Sequence, residues 1–241
     1  MTRADGGRAG RKGLVIAMDG PAGVGKSTVG QLVAKRLGYH FINTGEMYRA
    51  LTWKALREGI SVNDGDALTR LAERLRWEFR PAGGGTTLKT FIDGKGVTLQ
   101  IREEQVSKNS SLVAGVSGVR KRLRALQREL GERGGIVMEG RDITTAVFPD
   151  ADFKVYLDAA VEERARRRYR QLRACGKDGA LEDILQAMAA RDRQDSERKI
   201  NPLRQAEDAF VIDSTHLSLH EVADKILDHI RARRSRRKPP R

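Results

Sequence analysis

The 241-residue chain predicts an α/β fold in three layers, with a five-stranded parallel sheet flanked by helices. Three observations predict it. A glycine-rich loop joins an apolar run to an amphipathic helical stretch; five short apolar runs alternate with helical or loop segments; and one stretch between the second and third runs breaks that alternation.

The first run, Leu14 to Met18, ends in Asp19 and leads into Gly20-Pro21-Ala22-Gly23-Val24-Gly25-Lys26-Ser27, followed by Thr28. Val29, Leu32, Val33 and Leu37 then recur at helical spacing. Strand, loop and helix together make this a phosphate-binding P-loop. Gly20, Gly23 and Gly25 let the backbone turn tightly, so that successive N–H groups converge on one anion. The helix opening near Lys26 adds the positive end of its dipole. Lys26 is expected to reach the outer phosphates of a nucleoside triphosphate, and the Ser27 hydroxyl to ligate the accompanying Mg²⁺.

The remaining strands are expected at His40–Ile42, Gly135–Met138, Phe153–Leu157 and Phe210–Ile212. Four of the five runs finish against a polar residue: Asp19, Asn43, Glu139 and Asp158. Ligands of open parallel sheets bind outside the carboxyl ends of the strands, so these endings should border one crevice. Val119, Leu123, Leu126 and Leu130 form a helical stripe that reads as core. Arg76–Arg80 and Thr87–Ile92 alternate like strands, and Asp93-Gly94 signals a turn before Val97–Ile101. Together they predict a small antiparallel element inserted at about residues 60–115. Residues 160–200 read as two helices broken at Cys175–Gly179, a shape suited to a lid over a phosphate chain.

Net charge is +14, but residues 1–12 and 231–241 carry +3 and +7 of it. These ends read as a disordered basic N-terminal extension and a basic C-terminal tail around one domain at 13–230. A solubilising role and weak polyanion binding both fit them. No stretch interleaves aromatics with basic residues, so no specific nucleic-acid partner is expected. Cys175 is the single cysteine, and no apolar run reaches the length of a signal or membrane segment. A cytoplasmic monomer without a membrane partner is expected. His40, His216, His220 and His229 show no metal-ligand spacing, and the pair His216/His220 reads as part of a surface helix.

Arginines supply the chemistry. Arg49 follows the second strand, Arg141 and Asp142 follow the third, and Arg191, Asp195 and Arg198 share one helical face. Phosphoryl transfer needs donor and acceptor held in line under cations, and the planar guanidinium binds phosphate oxygens bidentately. Taken singly these residues are unremarkable: Arg191–Asp195 is also an ordinary i, i+4 pair, and Asp142 a helix cap. Arg164, Arg166, Arg167 and Arg168 share their helix with Glu162 and Glu163, and Glu162–Arg166 and Glu163–Arg167 read as solvated pairs.

Residues 13–230 resemble bacterial cytidylate kinases, a family of P-loop nucleoside monophosphate kinases. The resemblance is carried by D-G-P-A-G-V-G-K-S-T (19–28), N-T-G-E-M-Y-R (43–49), I-R-E-E-Q-V (101–106) and E-G-R-D-I (139–143). F-P-D-A (148–151), R-D-x-x-D (191–195) and V-I-D-S-T (211–215) add to it. It implies transfer of phosphate from ATP to CMP, and to dCMP, with Mg²⁺. It also implies that Gly20 to Thr28 hold ATP, and that Arg49, Arg141 and Arg198 grip the acceptor phosphate. Ser111, Arg120 and Asp142 match positions that read cytosine, Arg191 and Asp195 the ribose, and Arg167 and Arg168 the donor phosphates at lid closure. Thr44, where serine is frequent, keeps a hydroxyl at the substrate site. Asn43, Glu46 and Thr144 depart from the family pattern, and Glu46 stands one turn from Arg49, within pairing reach. A UMP or UMP/CMP kinase, another small-molecule kinase, and a nucleic-acid-associated NTPase are the alternatives. An ionised Asp142 argues against uracil, whose carbonyl stands where cytosine carries its amine.

Overall fold

The computed structural model describes residues 13–81 and 83–237. Eight strands and eight α-helices are found among them, in two sheets. The main sheet takes β1 (Val15–Asp19), β2 (His40–Asn43), β6 (Ile136–Glu139), β7 (Phe153–Asp158) and β8 (Phe210–Asp213) in the parallel order β2-β6-β1-β7-β8. All five expected strands are present, and all five end on a polar residue. The chain crosses over β1 on passing from β6 to β7, which places a topological switch point at the end of β1.

The strand period of two sorts the core onto both faces of the sheet. Val15 and Ala17 point to a cluster shared with α2 (Thr44–Arg57), α3 (Gly65–Arg74) and α5 (Ser117–Gly131). Ile16 and Met18 point to the other, under α1 (Lys26–Leu37) and α8 (Leu219–Arg237). The stripe on α5 is core as expected: Val119, Leu123 and Leu126 are buried and Leu130 packs against them.

The insertion holds α3, a three-stranded antiparallel sheet of β3 (Trp77–Pro81), β4 (Leu88–Ile92) and β5 (Lys95–Gly96), and α4 (Glu104–Val113). Its third strand is two residues long and stops before Val97–Ile101, where a strand was expected. Val97 and Ile101 are buried because they lie one helical turn apart, with Ile101 N donating to Val97 O at 3.1 Å, while Leu99 between them is exposed. A 3₁₀ turn, Gln100–Arg102, completes the segment. The insertion shares the core of the main sheet: Leu71, Ile92 and Val106 belong to the same cluster as Val15 and Ile42. Phe41 N of β2 donates to Thr86 O at 2.9 Å, stitching the small sheet to the edge of the large one.

The 160–200 region forms α6 (Val161–Ala174) and α7 (Leu181–Glu197), broken where expected. At the C-terminal end the expected tail begins differently. Helix α8 continues through Arg237, with Arg231 paired to Asp228 at 3.0 Å, Arg234 donating to the Tyr39 hydroxyl at 3.2 Å and Arg233 over the Phe153 ring. The N-terminal extension 1–12 and residues 238–241 lie outside the described residues. His216 sits in the turn after β8 and only His220 enters α8, so the two do not share a helix.

Candidate active site

The glycine-rich loop stands at the switch point. Gly20 has φ +145°, and a Cβ there would lie 2.0 Å from Leu157 O, so only glycine fits between β1 and β7. Gly25 caps α1 at φ 95°, and α1 opens at Lys26. Val24 is buried beneath the loop, whereas Thr28 is exposed on the first turn. Lys26 is buried, and its Nζ donates to Gly20 O at 2.7 Å and Pro21 O at 2.6 Å. Burial first, and then the charge of Arg141, pulls its pKa down to about 7, against the pull of Glu139, Asp19 and Asp195. A lysine in that state gains most from a phosphate arriving in front of it.

The strand ends supply the carboxylates, in unequal roles. Asp19 is fully buried and spoken for: its oxygens accept Ile143 N at 2.9 Å, Thr144 N at 2.7 Å and Thr144 Oγ1 at 2.6 Å. Burial raises its pKa, and the Thr144 bonds oppose the rise. Thr144, a departure from the family pattern, thus fastens the segment after β6. Glu139 closes β6 and accepts from the Ser27 hydroxyl. Asn43 Nδ2 donates to the same hydroxyl at 3.2 Å, and Thr44 Oγ1 donates to Glu139 O at 2.8 Å. The Asn43 amide thus meets the Ser27 hydroxyl without adding charge. Ser27 Oγ and the Glu139 carboxylate are hard oxygen donors in contact beside the loop. They fit a small dication that takes its other ligands from phosphate and water. No group of three or more His, Cys, Asp or Glu suited to a metal occurs among the described residues.

Among the residues expected to meet the acceptor, Asp142 follows β6 and lies between two guanidinium groups. Arg120 on α5 pairs with it in the interior, and Arg198 at the end of α7 approaches at 3.4 Å. Arg120 also donates to Ala114 O at 3.0 Å and lies over the Tyr48 ring. Arg198 Nε is held by Asn201 O at 2.7 Å. Ser111 is half-buried on α4.

Arg141 Nε pairs with Asp195 Oδ2 at 2.8 Å, so the Arg191–Asp195 pair the sequence allowed does not form. Arg191 instead lacks any direct ion pair among the described residues, and its buried Nε has no partner. Burial, Arg141 and Arg49 together lower its pKa to about 10. Arg49 is lowered by the same kind of crowding, with burial and Arg141 leading. Glu46 feels Lys89 and Arg49 but makes no direct ion pair with Arg49; burial raises its pKa. Lys26, Arg49, Arg141 and Arg191 thus form a cationic floor in which Arg49 and Arg191 make no direct ion pair.

The arginines expected on a lid divide. Arg167 pairs with Glu163 at 3.3 Å and turns to the strand end of β8, donating to Ser214 O at 2.6 Å and Thr215 O at 3.2 Å. Arg168 is exposed on α6. Glu163 also collects Arg166 and Arg170, and Glu162–Arg166 is not among the ion pairs formed. Sequence reasoning placed Arg164 among the arginines of its helix without a partner, and gave Asp192 no role beyond its place in R-D-x-x-D. Both are in the site: Arg164 is buried, pairs with Asp192 at 2.5 Å and donates to Ala22 O at 3.1 Å. Its position four residues after the Ala160 cap, on the inward face beside Ala165, was the available signal.

The cytidylate kinase family model matches residues 16–232. A curated cytidylate kinase of Bacillus velezensis is 46% identical over 217 residues, covering 90% of this chain and 96% of its own length. That of Ligilactobacillus salivarius is 47% identical over 222 residues, covering 92% and 98%. A crystal structure of an uncharacterized protein from Eubacterium ventriosum shares the fold with a TM-score of 0.50, at 12% identity over 92% of this chain and 99% of that one.

Proposed function

Because the chain belongs to the cytidylate kinase family, and so transfers phosphate from ATP to CMP, we propose how its residues divide that work. Gly20 to Thr28 cradle the ATP phosphates, with the loop N–H groups and Lys26 facing them. Ser27 and Glu139 hold Mg²⁺, whose chemistry when bound is to spread positive charge over the donor oxygens. Arg49, Arg141 and Arg198 grip the phosphate of CMP, while Arg120, Asp142 and Ser111 meet the cytosine edge. Arg191 and Asp195 reach the ribose, and Thr44 sets the end of β6 under the acceptor. Helices α6 and α7 act as the lid that brings Arg167 and Arg168 over the donor and excludes water.

The observation that carries this reading is the cationic floor. Four buried or half-buried cations lie within electrostatic reach of one another, and Arg49 and Arg191 make no direct ion pair with a carboxylate. Such crowding is unfavourable until phosphates arrive, and two phosphorylated ligands supply the missing charge. No nucleophile or general base is required for direct transfer to an acceptor phosphate. dCMP is a second substrate in this reading, as the family resemblance implies. The enzyme acts as a cytoplasmic monomer, and its basic ends are accessory to catalysis. No helix among the described residues is long and apolar enough to cross a membrane.

The test is a coupled ADP-release assay with ATP against CMP, dCMP and UMP, on the whole chain and on residues 13–230. Turnover with CMP and dCMP that survives trimming supports the assignment. Turnover that depends on added DNA or RNA overturns it.

A further inference from the structure

Ala22, inside the phosphate loop, is held by both of its backbone polar groups. Its carbonyl accepts from Arg164 Nη1 at 3.1 Å, and its N–H donates to Asp192 Oδ1 at 3.4 Å. The two side chains close the ring through their own ion pair at 2.5 Å. Arg164 is anchored in turn, its Nε donating to Ala159 O at 2.9 Å just past β7. Met188, one turn before Asp192 on α7, lies against Gly23, 2.5 Å from where a Cβ would stand. A loop with positive φ at Gly20, Gly23 and Gly25 has little stiffness of its own. The stiffness arrives from outside, through α6 and α7.

Helix α7 has a second engagement. Asp195, three residues after Asp192 and on the same face, holds Arg141 of the acceptor side. The carbonyl of Asp195 also accepts Leu203 N at 2.8 Å, which ties the end of the lid down. One rigid element therefore touches the donor loop at Asp192 and the acceptor charges at Asp195 and Arg191. A ligand that shifts α7 from either side alters the clamp on the other, and such coupling is reciprocal.

We propose that Arg164 and Asp192 are positioning residues that tie the donor loop to α7 and make the binding of ATP and CMP mutually dependent. The proposal rests on the reading above, in which residues 20–28 hold ATP and the Arg191–Asp195 face meets CMP. Neither residue touches the reacting atoms; both act through Ala22.

The experiment measures the affinity of a non-hydrolysable ATP analogue with and without saturating CMP, and of CMP alone, by calorimetry. Wild type is compared with Asp192→Ala and Asp192→Asn, each with its thermal melt. In wild type, CMP should tighten the analogue. In Asp192→Ala the analogue should bind about tenfold more weakly, since a charge-assisted contact is lost. The tightening by CMP should disappear while the affinity for CMP alone stays unchanged; Asp192→Asn, which keeps an acceptor for Ala22 N–H, should fall between. Tightening by CMP that persists in both variants, whatever their melting temperatures, overturns the proposal. Absence of tightening in wild type, or failure of both variants to fold, overturns it as well. Lys26→Ala separates the two readings: if it leaves analogue binding intact, the ATP assignment of the loop has failed and not the clamp.

Discussion

Asp142, just past β6, and Arg120 on α5 form a buried ion pair, their side chains 9% and 5% exposed. A pair so placed is costly to desolvate and costly to break, which makes it a poor stabiliser and a good gauge of shape. Arg120 Nε, buried and without a partner, marks the unfinished part of the arrangement.

Replacing Asp142 with Asn should therefore have two separable effects. The preference for CMP over UMP should relax by about tenfold to a hundredfold, because the amide presents a donor that uracil can accept. Stability should fall by about 3 kcal/mol as Arg120 keeps its charge in the interior, and Arg198, a second cation beside the same carboxylate, adds to the loss. Steady-state kcat/KM for both nucleotides and urea unfolding read the two effects. An unchanged preference removes Asp142 from base reading.

Lys26→Ala should lower kcat by at least about a hundredfold, the scale of losing one preorganised electrostatic contact. Thermal stability should hold or improve. The lysine contributes two bonds to loop carbonyls but sits uncomfortably near Arg141 in a buried site. A large drop in Tm would show that it is needed for folding and not for the ligand.

The depressed pKa of Lys26, about 7 against an ordinary 10.5, has a sign that can be followed. Between those values the unfolded chain keeps a proton that the folded chain has released. Stability therefore rises with pH across that window, and the lysine costs most below about pH 7. Binding of an anionic nucleotide restores the proton. At pH 8.5 the ATP analogue should take up close to one proton, and at pH 6 very little. Calorimetry in two buffers of different ionisation enthalpy counts these protons; an uptake that does not grow with pH would contradict the assignment.

Thr144→Ala removes the hydroxyl that Asp19 accepts at 2.6 Å while leaving the two backbone donors. A loss of about 1–3 kcal/mol is expected, the cost of under-satisfying a buried carboxylate. Thr144→Ser should recover most of it, measured by chemical denaturation. Equal losses in both would point to packing by the methyl group instead.

The main sheet was legible in the sequence because each strand is a short apolar run closed by a polar residue, from Asp19 to Asp158. The phosphate loop was legible because its glycines answer a backbone demand, as the clash at Gly20 shows. What stayed hidden depended on partners distant along the chain. Asp195 reads as the i, i+4 partner of Arg191, yet it pairs with Arg141, 54 residues away. Arg164 looks like its exposed neighbours until α7 packs against α6 and brings Asp192 to it. Val97–Ile101 alternates like a strand, but burial at i and i+4 suits a turn equally well, and the core chose the turn. Local pattern fixes elements; it does not say which charge will face which.

The stitch from Phe41 to Thr86 has a consequence for anyone seeking a smaller version of this enzyme. β2 lies at the margin of the main sheet, and the inserted segment occupies the hydrogen-bonding groups of Phe41 on its outer side. Excising the insertion would leave that margin raw and ready to recruit strands from other molecules. A pruned enzyme should precipitate or oligomerise before its catalysis can be judged.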